Sequence, residues 1–199
     1  MPASSQILVF DRDLLKRRRD RAAGGFAAHN ALFEEVGTRL LDRLNDVKRD
    51  FGTILDLGAH EGKLTRELAR DENTFVVAAD LSARMLAQTP FAVVADEELL
   101  PFAPRSFDLV VSNLSLHWAN DLPGTLAQIK SILKPEGLFS AALFGGNTLF
   151  ELRACLLEAE LAITGGASPR LSPTIQLQTA AGLLQRVGFV LPVADQETI

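Results

Sequence analysis

The chain has 199 residues, 47% of them hydrophobic and 23% charged, with a formal net charge of −5. That composition suits a soluble globular chain of about one domain, and the acidic balance excludes a general nucleic-acid binder, which needs a basic surface. A single cysteine, Cys155, leaves no disulfide framework and no cysteine zinc site, and no apolar run approaches the ~20 residues of a membrane span.

Residues 1–26 are polar and basic and read as an N-terminal arm, partly helical, with Gly24-Gly25 near its end. Within it, Lys16-Arg17-Arg18-Arg19-Asp20-Arg21 puts five basic residues into six positions. Such a run is either a solvated helix face or a docking surface for an acidic partner or for membrane headgroups. Between residues 27 and 47, Leu32, Phe33, Val36, Leu40, Leu41, Leu44 and Val47 recur at spacings of three and four, the pattern of an amphipathic helix. A first strand is expected over Thr53–Leu57, followed by a glycine turn and a helix over residues 63–70, with Asn73 closing that segment. A second strand follows over residues 74–79, and Ser82 is placed to N-cap a helix running through Ala87. Strands are expected over residues 91–95 and 106–112. The continuous apolar run of the latter (Phe107, Leu109, Val110, Val111) indicates burial on both faces, as in parallel sheets.

A helix over residues 122–133 is stopped by Pro135 and Gly137, and a fifth strand follows over residues 138–144. A further helix spans residues 148–163, then a loop rich in glycine and proline, then a helix over residues 175–187 ended by Gly188. A sixth strand is expected to begin at Phe189. Strands and helices alternate throughout, so the architecture is α/β, a doubly wound Rossmann-like sheet. It occupies residues 27–199, with a helical insert at 147–173 covering the pocket.

The chemistry concentrates in Thr53-Ile-Leu-Asp-Leu-Gly-Ala-His-Glu-Gly62, a strand that ends in an acid and runs straight into glycines. A dinucleotide dehydrogenase turn, G-x-G-x-x-G, would need glycines at 60 and 63 after Gly58, where this chain has His60 and Lys63. No phosphate-gripping G-x-x-x-x-G-K-[ST] is present. A methyltransferase-type turn has an acid followed by glycines two, four and six residues on. Asp56, Gly58 and Gly62 meet it and His60 does not. Such a turn suits S-adenosylmethionine, which carries a sulfonium and no phosphate, because glycine lets backbone approach closely and Asp56 sets a carboxylate nearby. Ala59 and His60 complete the loop, and the His60 side chain either meets the ligand or points away from it.

Asp80 stands 24 residues after Asp56, at the end of the second strand. An acid there accepts ribose hydroxyls, or merely caps the helix ahead of Ser82. Asp96 and Glu97 follow the third strand, where an acid accepts the amino group of adenine or simply faces solvent. Leu81, Met85 and Asn113 complete the expected cofactor-binding set. After the fourth strand comes Ser112-Asn-Leu-Ser-Leu-His-Trp118, at the strand end where ligands sit in such sheets. His117 is the candidate catalytic residue, as general base or as an orienting group. Trp118 is the candidate substrate contact, walling the pocket or stacking on a guanidinium. Both are residue types that also serve plain packing. The three histidines, His29, His60 and His117, are far apart in sequence and form no local metal-ligand motif, so no metal is expected.

Several of these segments also resemble a known group. They are Leu8-Val-Phe-Asp-Arg-Asp13, Val94-Ala-Asp-Glu-Glu98 with Leu100-Pro-Phe102, Leu114-Ser-Leu-His-Trp118 with Asn120-Asp-Leu-Pro123, Phe144-Gly-Gly146, Glu151-Leu-Arg153 and residues 166–173. They are similar to class I S-adenosylmethionine-dependent methyltransferases, and within these to the mitochondrial complex I assembly factor 5 family and its bacterial relatives. A more distant likeness is to the malonyl-carrier-protein methyltransferase of biotin synthesis. The resemblance covers almost the whole chain. It implies S-adenosylmethionine as cofactor, a protein substrate such as a complex I subunit, and arginine hydroxylation as an alternative to methyl transfer.

The resemblance further implies a seven-stranded sheet and a chain continuing beyond Ile199, so the last strand is expected to be missing here. A bacterial-type cytosolic protein, peripheral to the inner membrane at most, fits the acids Asp11 and Asp13 and the absence of a secretion-type apolar core near the start. Two functions compete: an enzyme using S-adenosylmethionine, and an assembly chaperone with a vestigial pocket that docks through its basic arm.

Overall fold

Short apolar runs rich in β-branched residues, too brief for stable helices, build the centre of a parallel sheet. The computed structural model describes residues 8–199, so residues 1–7 of the expected arm lie outside the described residues. The chain divides into two compact units, the first reaching to Leu143 and the second spanning Phe144–Ile199.

In the first unit the helices are α1 (Arg12–Ala22), α2 (Ala31–Asn45), α3 (Lys63–Leu68) and α4 (Leu122–Ile132). The strands are β1 (Thr53–Leu57), β2 (Phe75–Asp80), β3 (Ala92–Val94), β4 (Phe107–Asn113) and β5 (Leu133–Ala142). They form one sheet in the order β3-β2-β1-β4-β5, every pair parallel. Central β1 sets Leu55 against Val77 on one side and Val110 on the other. Leu55, Leu57, Leu109, Val110 and Val111 are wholly buried, as their unbroken apolar runs required. Helix α2 turns Val36, Leu40 and Leu44 into the core and leaves Leu32 at the surface, and Val47, past its end, is also exposed. The strand order reverses between β1 and β4, and in open α/β sheets the crevice at that switch point is where ligands bind.

The expected helix after Ser82 is only a 3-10 turn over Met85–Gln88. Ser82 Oγ does accept a hydrogen bond from Met85 N at 3.1 Å, so the cap forms. Pro90 then forces its predecessor out of helical geometry, and Thr89 is extended at φ −100°, ψ 121°. The fifth strand pairs from Leu133, before the proline rather than after it. Between Phe107↔Leu133 and Leu109↔Leu138 the register slips, with Pro135 and Gly137 in the bulge, so the main ladder begins at Leu138 as expected.

In the second unit, α5 (Phe150–Thr164) and α6 (Leu177–Val187) are joined by the expected glycine- and proline-rich loop, and Gly145 bridges to Ile175. The sixth strand expected from Phe189 does not form. Leu191 sits at φ +52°, in the left-handed region, Pro192 has no N–H to donate to a ladder, and Val190, Leu191 and Val193 are exposed. Among the described residues the sheet therefore has five strands.

Gly62, which precedes α3, has φ +70°, and a Cβ there would lie 2.4 Å from Thr89 Oγ1 and 2.7 Å from its Cγ2. Gly62→Ala combines a left-handed backbone with a clash. It is expected to cost about 2 kcal/mol, read as a thermal midpoint about 4–8 °C lower in a melting curve.

Candidate functional site

The turn after β1 is pinned to the neighbouring strand, because Gly58 N and Ala59 N both donate to Ala79 O, at 2.8 and 3.0 Å. Gly58 has φ +76°, and a Cβ on it would stand 2.2 Å from Ser115 Oγ. The missing side chain thus admits Ser115, from the loop after β4, into the floor of the crevice. Ser115 Oγ donates to Glu97 Oε1 at 2.5 Å. Asp56, near the end of β1, is buried; its Oδ2 accepts from Thr65 Oγ1 at 2.6 Å, and its Oδ1 has no partner among the described residues.

Asp80 ends β2 with no exposed surface. Its Oδ1 accepts from Ser82 N at 2.8 Å, and its Oδ2 accepts from His60 N at 3.1 Å. Leu81 and Met85 are buried beside it. Glu97 is also buried, whereas the Asp96 side chain keeps 28% of its surface. Asn113 is buried at the end of β4; its Nδ2 donates to Phe33 O at 2.8 Å, and its Oδ1 has no partner among the described residues.

Two arginines of α1 bind these acids. Arg19 Nη1 donates to Glu97 Oε1 at 2.9 Å and to Asp80 Oδ1 at 3.2 Å, and Arg19 Nη2 donates to Ser115 Oγ at 2.8 Å. Arg12 forks onto Asp96, with Nη2–Oδ1 at 2.6 Å and Nε–Oδ2 at 3.2 Å, and also pairs with Glu97 Oε2. For Arg19 alone, this corrects both readings of the basic run. Arg19 is only 6% exposed and is neither solvated nor available to a partner, although Lys16, Arg17, Arg18 and Arg21 remain exposed. Arg12 and Arg19 are seven residues apart, two helical turns on one face. That spacing was the available signal, hidden by the other charges in the run.

His60 carries the backbone a glycine would favour, at φ +50°. Its ring is buried, stacked on Phe26 (centroids 5.3 Å apart, 15° between planes) and edge-on to Phe33 at 4.6 Å. Its Nδ1 lies 4.0 Å from Asp80 Oδ2. Of the two orientations open from sequence, the ring thus takes an inward, aromatic-packed one. His117 lies in a 3-10 turn, Leu116–Trp118, with its ring 5.1 Å from that of Trp118. Trp118 packs edge-on against Phe10 at 5.3 Å, and its carbonyl accepts from Arg12 Nη1 at 3.1 Å. Phe26, Phe33, Thr65 and Ser115 join the site without having been singled out from sequence. Each is an ordinary residue type whose role comes only from its neighbours.

The charges follow from burial and pairing. Burial, helped by the nearby Asp80 charge and opposed by Thr65, pushes the Asp56 carboxyl up to about 7. Burial and Arg19 push His60 down to about 4, against the pull of Asp80. Burial, Arg19 and His60 do the same to His117, also to about 4. Burial works against a charge on Glu97, but Arg19, Arg12 and Ser115 outweigh it and hold that carboxyl down at about 2.

A sheet of this order, with acids at successive strand ends around a left-handed glycine turn, defines a class I methyltransferase architecture. The comparisons with known proteins agree. The methyltransferase domain family matches residues 55–141. The arginine-hydroxylase NDUFAF5, mitochondrial, of Homo sapiens is 42% identical over 199 residues, covering 96% of this chain and 58% of that protein. The malonyl-[acyl-carrier protein] O-methyltransferase of Methylovorus sp. (strain MP688) is 36% identical, covering 95% of this chain and 67% of that protein. Among solved structures, phosphoethanolamine N-methyltransferase 2 of Haemonchus contortus, in complex with phosphomonomethylethanolamine and S-adenosylhomocysteine, is similar with a TM-score of 0.69 at 21% identity, covering 96% of this chain and 46% of that one. The chain belongs to the class I S-adenosylmethionine-dependent methyltransferase family. It spans little more than half the length of the arginine-hydroxylase relatives it matches.

The buried titrating groups predict opposite pH trends. An imidazole held at about 4 in the folded chain, against 6.5 when free, takes up a proton more readily when unfolded, so acidification from 6.5 toward 4 removes stability. Asp56, held at about 7 against 3.8, keeps its proton better when folded, so its contribution is lost as pH rises toward 7. His60→Phe should therefore gain in melting temperature over the wild type as the pH is lowered from 7 to 4.5. Asp56→Asn should gain over it as the pH is raised from 5.5 to 8. Paired melting curves across pH check both, and a mutant–wild-type gap independent of pH would contradict the assignment.

Proposed function

We propose that the crevice at the carboxyl ends of β1 to β4 binds S-adenosylmethionine and that the chain acts in methyl transfer. One observation carries this reading: buried acceptors stand without donors at the switch point. Asp56 Oδ1 and Asn113 Oδ1 have no partner among the described residues, while Asp80 and Glu97 place buried carboxylates alongside. A ligand fitting that set is rich in donors and positive charge, and S-adenosylmethionine offers an ammonium, ribose hydroxyls, an adenine amine and a sulfonium.

When bound, it supplies a methyl group activated by that sulfonium. Asp80 would accept the ribose hydroxyls, and Asp96 with Glu97 the adenine amine. The backbone of Gly58, Ala59, His60 and Gly62 would line the approach, Leu81 and Met85 would give apolar surface, and Asn113 and Asp56 would take the remaining donors. His117, neutral at neutral pH with its pKa near 4, is a weak base suited to orienting a nucleophile. Transfer to a good nucleophile needs alignment more than proton abstraction. Trp118 would bound the substrate side.

The substrate class we infer from the relatives is a protein, with a complex I subunit favoured by the 42% identity to the human arginine-hydroxylase and a carrier protein by the methyltransferases of the same kind as that of Methylovorus. Arginine hydroxylation is the second reading, on that same 42% identity. Methyl transfer stands first because the chain belongs to the methyltransferase family. Mass analysis of a complex I subunit incubated with the protein separates the two: a methyl-sized gain supports transfer, and a one-oxygen gain supports hydroxylation. Calorimetric titration with S-adenosylhomocysteine tests the site itself. Asp80→Asn should weaken binding by about tenfold or more, the loss of hydrogen bonds to a charged group. No binding to the wild type at millimolar ligand would leave the assembly-chaperone reading in its place.

A further inference from the structure

We propose that α1 is an internal strap whose Arg12 and Arg19 occupy the acids of the crevice and must give them up when the cofactor binds. This rests on the cofactor reading above and names the regulation of that site.

The occupancy of Asp80 makes the case. Its two oxygens already receive Ser82 N, His60 N and Arg19 Nη1, and of these only Arg19 belongs to a side chain that can withdraw. Glu97 is likewise filled, by Arg19, Arg12 and Ser115, and Asp96 by the fork of Arg12. A ribose or an adenine amine reaching these carboxylates competes with guanidinium groups already there. The competition is balanced by charge. Withdrawing Arg19 alone would leave buried Asp80 without its guanidinium, Glu97 keeping only Arg12, which is costly. The strap therefore stays down until a donor-rich ligand replaces it.

The strap also has a latch separate from the acids. Asn120 Oδ1 accepts from Val9 N and Phe10 N, both at 2.8 Å, and Asn120 Nδ2 donates to Phe10 O at 3.0 Å. Phe10 then packs on Trp118. That residue is the only tryptophan in the chain, so it reports the position of the strap. Asp11 caps α1 by accepting from Leu14 N at 2.8 Å, which lets the helix move as one piece once the latch opens.

The test uses the whole chain with S-adenosylhomocysteine as probe. In the wild type, saturating probe should raise the quenching of Trp118 fluorescence by acrylamide, as Phe10 lifts away. In calorimetry, Arg19→Gln should bind the probe about tenfold more tightly than the wild type, the range of an ordinary coupling between sites. Should that variant misfold, Asn120→Ala loosens the latch without touching the acids and should also bind more tightly. Binding to Asn120→Ala or Arg19→Gln that equals or falls below the wild type, or Trp118 quenching unchanged at saturation, overturns the strap and leaves the cofactor reading standing. Probe binding that survives undiminished in Asp80→Asn overturns the cofactor placement, and the strap with it.

Discussion

The acids at the strand ends and the two arginines that reach them form the interaction on which the rest of this site depends. Asp80 and Glu97 are buried deeply enough that their charges would be prohibitive alone. Arg19, carried in on α1, makes them tolerable, and Arg12 extends the network to Asp96 at the rim. Because the countercharges come from a different element than the carboxylates, the ends of β2 and β3, the loop after β4 and the N-terminal helix are tied together. A segment that looks like a polar appendage is thus a wall of the crevice.

The backbone makes that network reachable. Gly58 lacks the side chain that would keep Ser115 away, and Ser115 passes a hydrogen bond from Arg19 on to Glu97. His60, two residues on, accepts an uncomfortable left-handed backbone in exchange for stacking on Phe26 and edge-on packing against Phe33. The departure from the usual glycine pattern is therefore absorbed by packing rather than by blocking the turn. The two histidines near the crevice are kept neutral by burial and by Arg19, so the positive charge there resides in the arginines. That distribution sets which ligand groups the crevice can receive.

Much of the framework was legible along the chain. The strand at 53–57 and its parallel neighbours follow from apolar runs bounded by turns, and the acids Asp56, Asp80 and Asp96 follow from their places at strand ends. The misreadings have local causes. Ser82 does cap, but Pro90 cut the helix short. Phe189 onward has strand-like residues, yet Leu191 and Pro192 take a backbone that cannot join a ladder. Arg19 was lost among like charges because composition does not say which side of a helix faces inward.

What the amino-acid sequence determined by itself was the order of elements and the identity of the turn, since strand period, glycine spacing and acid placement are local properties of a few consecutive residues. What only the tertiary structure decided was which groups face one another across that turn. Arg12, Arg19, Ser115, Phe26 and Phe33 come from distant parts of the chain, and their roles arise from desolvation and charge pairing. Those forces depend on distance in space and on burial, neither of which is written in the spacing of residues along the chain.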